Sequence, residues 1–184
     1  MTGSKISTSL LAALALAPAL LLAPVPALAA DGYEREAVIA GPVDLVWRLL
    51  TTEDGIRSWL APQADVDLRV GGLVRTHQDP NGRLGDAQTT VSRVLTLRPR
   101  RGFSVKLEQA PQGYPFAQAI EGTWYEVALE ALPGGKTKIR CAGNGLASGW
   151  AGYAVRPAFN QGVDMAFSQL ERAVERKLKK DRKS

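Results

Sequence analysis

The spacing of hydrophobic residues changes several times along the chain, and each change marks an element. Tyr33 to Ala40 alternates mildly and ends at Gly41-Pro42, which predicts a strand and then a helix opening on Pro42. Val43, Val46, Trp47 and Leu50 recur at the i, i+3, i+4, i+7 spacing of one helical face. Ile56, Trp59 and Leu60 repeat that spacing beyond Glu53-Asp54, so a second short helix is expected, stopped at Pro62. From Ala64 the period becomes two: Ala64, Val66, Leu68 and Val70 alternate with Asp65, Asp67 and Arg69, predicting a half-buried strand that ends at Gly71-Gly72.

Hairpins follow. Leu73 to Gln78 reads as a strand, Asp79-Pro80-Asn81-Gly82 as a turn, and the chain from Leu84 as a second strand running through Val91 to Leu97. Phe103, Val105 and Leu107 alternate with Ser104, Lys106 and Glu108 in another strand, closed by a loop from Ala110 to Pro115. A strand from about Ile120 to Ala131 turns at Leu132-Pro133-Gly134-Gly135 into Lys136 to Cys141. Gly143 to Gly152 is a small-residue connection carrying Trp150 and followed by Tyr153, either a gate or a plain connector. After Pro157, one apolar face holds for about six turns through Phe159, Val163, Ala166, Phe167, Leu170, Val174 and Leu178, predicting a long amphipathic helix.

The first residues break this pattern. Lys5, an apolar run from Leu10 to Ala23 and then Ala27-Leu28-Ala29 have the layout of a secretory signal peptide cut near Ala29. The run is shorter than the roughly 20 apolar residues of a spanning helix, and Pro18, Pro24 and Pro26 interrupt or end it. Residues 1–29 are thus expected to be a leader, 30–178 one domain and 179–184 a basic tail, with the mature protein periplasmic or secreted. Cys141 is alone and cannot form an internal disulfide.

Charge is unevenly placed. Of 23 Lys and Arg residues, Lys5 lies in the leader and six lie between Arg176 and Ser184; of 18 acidic residues only Asp181 lies there, so 16 basic face 17 acidic residues in between. Cations at a helix end complement its dipole, and a nucleic-acid binder would carry them on a folded face instead. No nucleic-acid partner is expected; the tail reads first as a solvated helix end, with weak contact to an anionic envelope surface as the alternative.

Candidate chemistry is sparse. Alternation turns Phe103, Val105, Tyr125, Val127, Ile139 and Cys141 inward, opposed by Phe159, Val163 and Phe167 of the long helix. A sheet curved over a helix leaves an elongated apolar interior, the usual setting of a small-molecule site, and these side chains either line it or fill it. Glu121, Thr123 and the Tyr125 hydroxyl are the polar candidates, with Trp59, Phe116 and Tyr153 from adjoining segments. A buried Glu121 would have a raised pKa and could transfer protons; at an exposed strand end it would not. His77 is the only histidine, so no metal centre is expected, and no Gly-x-Ser-x-Gly elbow or phosphate-binding glycine pattern is present. No cofactor is expected.

The order of elements, with Ile39-Ala40-Gly41-Pro42, Val46-Trp47, Leu50-Thr51, Trp59-Leu60, Asp67-Leu68-Arg69-Val70-Gly71-Gly72 and Gly122-Thr123-Trp124, resembles the START-like superfamily, also called SRPBCC. At residue level it is similar to the branch named after an activator of a heat-shock chaperone ATPase, over Tyr33 to about Lys177. The resemblance implies an α+β helix-grip fold: a curved antiparallel sheet of about six to seven strands wrapped on a long C-terminal helix. It also implies an apolar ligand, a hydrophobic small molecule or lipid, held between sheet and helix by Trp59, Phe103, Phe116, Glu121, Tyr125, Tyr153, Phe159, Val163 and Phe167. A cyclase or dehydratase using Glu121, Tyr125 or His77, and an envelope interaction module, are the alternatives. The chain has Gly162-Val163 where the family usually has Gly-Trp, and its export signal points to a compartment without ATP, so the family's name does not carry over as a function.

Overall fold

The computed structural model describes residues 33–114, 117–120, 122–145 and 150–183. Strand β1 (Tyr33–Ile39) is followed by helices α1 (Val43–Thr51) and α2 (Glu53–Arg57) and strands β2 (Gln63–Val66), β3 (Leu73–His77), β4 (Thr90–Arg98) and β5 (Gly102–Gln109). A short helix α3 (Ala117–Ile120), strands β6 (Trp124–Leu132) and β7 (Lys136–Asn144) and the long helix α4 (Trp150–Asp181) complete the order. The strands form one antiparallel sheet in the order β1-β7-β6-β5-β4-β3-β2. This is the α+β helix-grip architecture expected of the sequence.

The first and last strands are neighbours at one side of the sheet. β1 pairs with β7 in unbroken register from Tyr33↔Gly143 to Ile39↔Thr137, and α1 and α2 carry the chain across to β2 at the opposite edge. Thr52 separates the two helices: its backbone is extended, and its hydroxyl accepts the Gly55 N–H at 3.0 Å, capping α2. Register shifts at Val91/Ser92 and Val94/Thr96 in β4 mark bulges, which bend and twist a strand.

The core lies where α1 and α4 cross the sheet. Ile39, Val46, Leu49, Leu129, Ile139, Leu170 and Val174 pack together there, nearly all sealed from solvent. Each such side chain contributes roughly 1.5–3 kcal/mol by leaving water.

Four boundaries differ from the sequence expectation. β2 ends at Val66, because the chain turns at Asp67 to Gly72 with Arg69 N–H bonded to the Asp67 carbonyl and Gly72 N–H to that of Arg69. Leu84 to Thr89 is a run of turns, held by the Asp86 carboxylate accepting the Gln88 N–H at 2.8 Å, so β4 starts at Thr90. A turn between Ile120 and Thr123 delays β6 to Trp124. Most visibly, α4 starts at Trp150 and contains Pro157, so part of the expected connection is helix.

Candidate functional site

An apolar cavity of about 370 Å³ lies between the α1–α2 pair and the β2–β6 part of the sheet. α1 supplies Leu50 and Thr51, and α2 with the turn after it supplies Ile56, Trp59 and Leu60. Val66, Leu68 and Val74 close it from the β2–β3 hairpin, and Val94, Phe103, Val105 and Val127 from β4 to β6. The volume is at the lower end of the range for small-molecule sites.

Each wall residue is there for a local reason. Alternation aims Phe103 and Val105 at one face of β5, and their partners Val127 and Tyr125 on β6 share it. Trp59 is fixed by its indole N–H, which donates to the Leu49 carbonyl at 2.9 Å across the α1–α2 break. Trp47 meets Phe103 edge to face with ring centroids 6.2 Å apart, joining α1 to the floor.

The polar wall residues are neutral: Thr51, Thr76, Gln78, Thr90 and Ser92. Thr51 donates to the Trp47 carbonyl at 2.7 Å. Thr76 on β3 stands directly opposite Thr90 on β4, and Ser92 follows two residues later on the same face. Gln78, just beyond β3, is exposed and places the amide end of the cavity next to Leu60, whose carbonyl it approaches at 3.4 Å.

The expected site residues are divided by the structure. Trp59 and Phe103 line the cavity together. Tyr125 and Phe159 stack face to face instead, with centroids 5.4 Å apart and planes 4° from parallel. Burial raises the Tyr125 phenol above its ordinary 10.0, although a hydrogen bond with Thr123 works the other way. Val163 is buried, and Phe167 packs against the main core cluster. Phe116 and Glu121 lie outside the described residues, as do the Tyr153 side chain and residues 146–149 of the expected gate. Among the described residues α4 contributes nothing to the wall, so this cavity sits under α1–α2 rather than between the sheet and the C-terminal helix as expected.

His77, the candidate acid or base, points away from the cavity, since it alternates with Thr76 on β3. It is 4 % exposed, and its Nδ1 accepts the Asp79 N–H at 3.0 Å. Its Nε2 lies 3.3 Å from Asp86 Oδ1 without making a hydrogen bond. A second depression, of about 540 Å³ and open to solvent, lies between Arg35 on β1 and Arg156, Asn160 and Asp164 on α4. Its wall is charged, and Arg35 is paired with Asp164 at 3.3 Å.

Beyond Trp59, Phe103, Val105 and Val127, sequence reasoning assigned none of this wall to the site, Thr76, Thr90 and Ser92 included. The signal was present for Thr76, Thr90 and Ser92: each falls at an inward position of a strand whose other inward residues, Val74 and Val94, are apolar.

Comparison with known proteins agrees with this architecture. The chain is similar to a solved protein of Mesorhizobium loti at 23% identity and a TM-score of 0.63, over 79% of this chain and 97% of that one. It is also similar to a protein of Nitrosomonas europaea at 20% identity and 0.63, covering 82% and 98%. The Aha1 dimer from Colwellia psychrerythraea matches at 17% and 0.61, covering 78% and 96%. At these identities the likeness is one of fold. No curated protein sequence matches the chain. The model of the Activator of Hsp90 ATPase homolog 1-like family matches residues 40–175, so the chain belongs to that family, within the START-like superfamily.

Proposed function

We propose that this protein is an exported carrier that holds an apolar small molecule in the cavity beneath α1 and α2. The observation that carries the reading is the cavity itself. About 370 Å³ of space, partly open to solvent, is lined mostly by apolar side chains that have not closed on one another, whereas protein interiors are packed nearly as densely as organic crystals. The apolar part of such a wall gains by covering an apolar molecule and removing both from water. Export rests on the leader-like first 29 residues, from Lys5 to Ala29. The basic end of α4 would add weak attraction to an anionic envelope surface, which salt would screen.

A proton-transferring enzyme is supported less well. Among the described wall residues none titrates near neutral pH, and His77 is turned to the far side of β3.

Native mass spectrometry of the protein recovered from the exported fraction, followed by extraction and identification of its cargo, tests the reading. A defined apolar molecule at near-unit occupancy is the expected result. A protein that stays empty after incubation with envelope lipids would remove the carrier function.

A further inference from the structure

The chemistry of the wall narrows the class of molecule it suits. Strand alternation sends the charges of β3 and β4 to the opposite face, where Arg75 pairs with Asp65 at 2.7 Å and Arg93 pairs with Glu108. Among the described residues the wall contains no Asp, Glu, Lys, Arg or His. A carboxylate or ammonium drawn into it would therefore lose its hydration without gaining a counter-charge, at a cost far larger than that of a neutral group.

The same wall is not inert to polar groups. Thr76 and Thr90 face each other across β3 and β4, roughly 5 Å apart as cross-strand neighbours are, and Ser92 lies about 7 Å further along β4. Among the described residues none of these three hydroxyls makes a hydrogen bond within the protein, so each can turn to a guest, and Thr76 is only 9 % exposed. A hydroxyl both donates and accepts, so the three together can bond an alcohol, a ketone or an amide in either sense. Trp59 and Thr51, by contrast, are committed to backbone carbonyls.

We infer that the cavity selects an uncharged molecule with one small hydrogen-bonding group, seated with that group on Thr76, Thr90 and Ser92 and its apolar body against Val94, Phe103 and Val127. The inference rests on the carrier reading above and specifies its cargo.

Titration calorimetry of the purified, delipidated protein at neutral pH with 1-decanol, 2-decanone and decanoate tests it. These probes share a ten-carbon chain and differ in the head, and decanoate is ionised at that pH. Decanol and decanone are expected to bind at least about tenfold more tightly than decanoate, since a factor of ten needs only about 1.4 kcal/mol of unrelieved desolvation. The variant Thr76→Val with Ser92→Ala, checked for an unchanged far-ultraviolet spectrum, should weaken decanol about three- to tenfold through lost hydrogen bonds. Decanoate binding as tightly as decanol would overturn the selectivity while leaving the carrier reading standing. Decanol binding unchanged in the variant would overturn the assignment of the hydroxyls. Binding of none of the three probes would remove the carrier reading and this inference with it.

Discussion

Gly41 lies directly against Val174, so close that a Cβ on Gly41 would overlap the valine Cγ1. The contact joins the exit of β1 to the C-terminal part of α4, and the Thr137 hydroxyl reinforces it by donating to the Gly41 carbonyl at 2.7 Å. Gly41→Ala is therefore expected to lower stability by about 1–3 kcal/mol, the usual cost of overpacking a core. Val174→Ala in the same chain should relieve part of that loss, so a double-mutant cycle by urea unfolding should return a favourable coupling. Additive effects would mean that the glycine matters for its backbone alone.

Gly82 has a similar relationship to His77. Its Cα packs on the imidazole, and an added methyl would overlap the ring. Gly82→Ala should displace the ring, break the Asp79 N–H bond to Nδ1 and loosen the turns from Asp79 to Thr89, which Gln63 also secures by donating to the Pro80 carbonyl at 3.0 Å. Because the chain has a single histidine, its Cε1–H resonance reports this cleanly. A shift in the variant close to that of an exposed imidazole is expected; the wild-type shift would show that the turn can absorb the methyl.

Alkaline pH should destabilise the fold before it ionises the core. Burial pushes the Cys141 thiol up to about 12 from an ordinary 9.0. The unfolded chain therefore releases this proton first, so the stabilisation is full below about pH 9 and declines as pH rises towards 12. Tyr125, also raised chiefly by burial, adds a decline of the same sign beginning near 10.0. Urea midpoints measured at pH 8, 9.5 and 10.5 should fall steadily in the wild type and less steeply in Cys141→Ala between the first two. Equal slopes would assign the effect to other groups.

How far the sequence could be read depended on what set each feature. Phe103, Val105 and Leu107 announce β5 because a half-buried strand leaves period two in its side chains, and the α4 face from Phe159 to Leu178 is long enough to average out exceptions. The β2 end was misleading, since Leu68 and Val70 continue the alternation past the point where backbone bonds around Arg69 turn the chain. Pro157 reads as a helix start, yet it lies inside α4, beyond its first turn, where the missing N–H forgoes one helical bond that the rest of the helix outweighs. The site was less legible than the fold. Its wall joins Leu50 and Trp59 on one side to Thr76 and Ser92 on the other, and that proximity comes from the crossover between sheet edges, which no local period records.

Occupancy of the cavity can be tested by filling it. Val105 projects from the centre of β5 between Val94 on β4 and Tyr125 on β6, and its side chain forms part of the wall. Val105→Trp should occupy the space that a ligand would take while leaving the sheet paired. Native mass spectra of the wild type and of this variant, both recovered from the same cells and compared at matched folding, are the most direct measurement. A ligand-bearing wild type beside an empty but folded variant is the predicted result, and the same cargo at the same occupancy in both would contradict binding in this cavity.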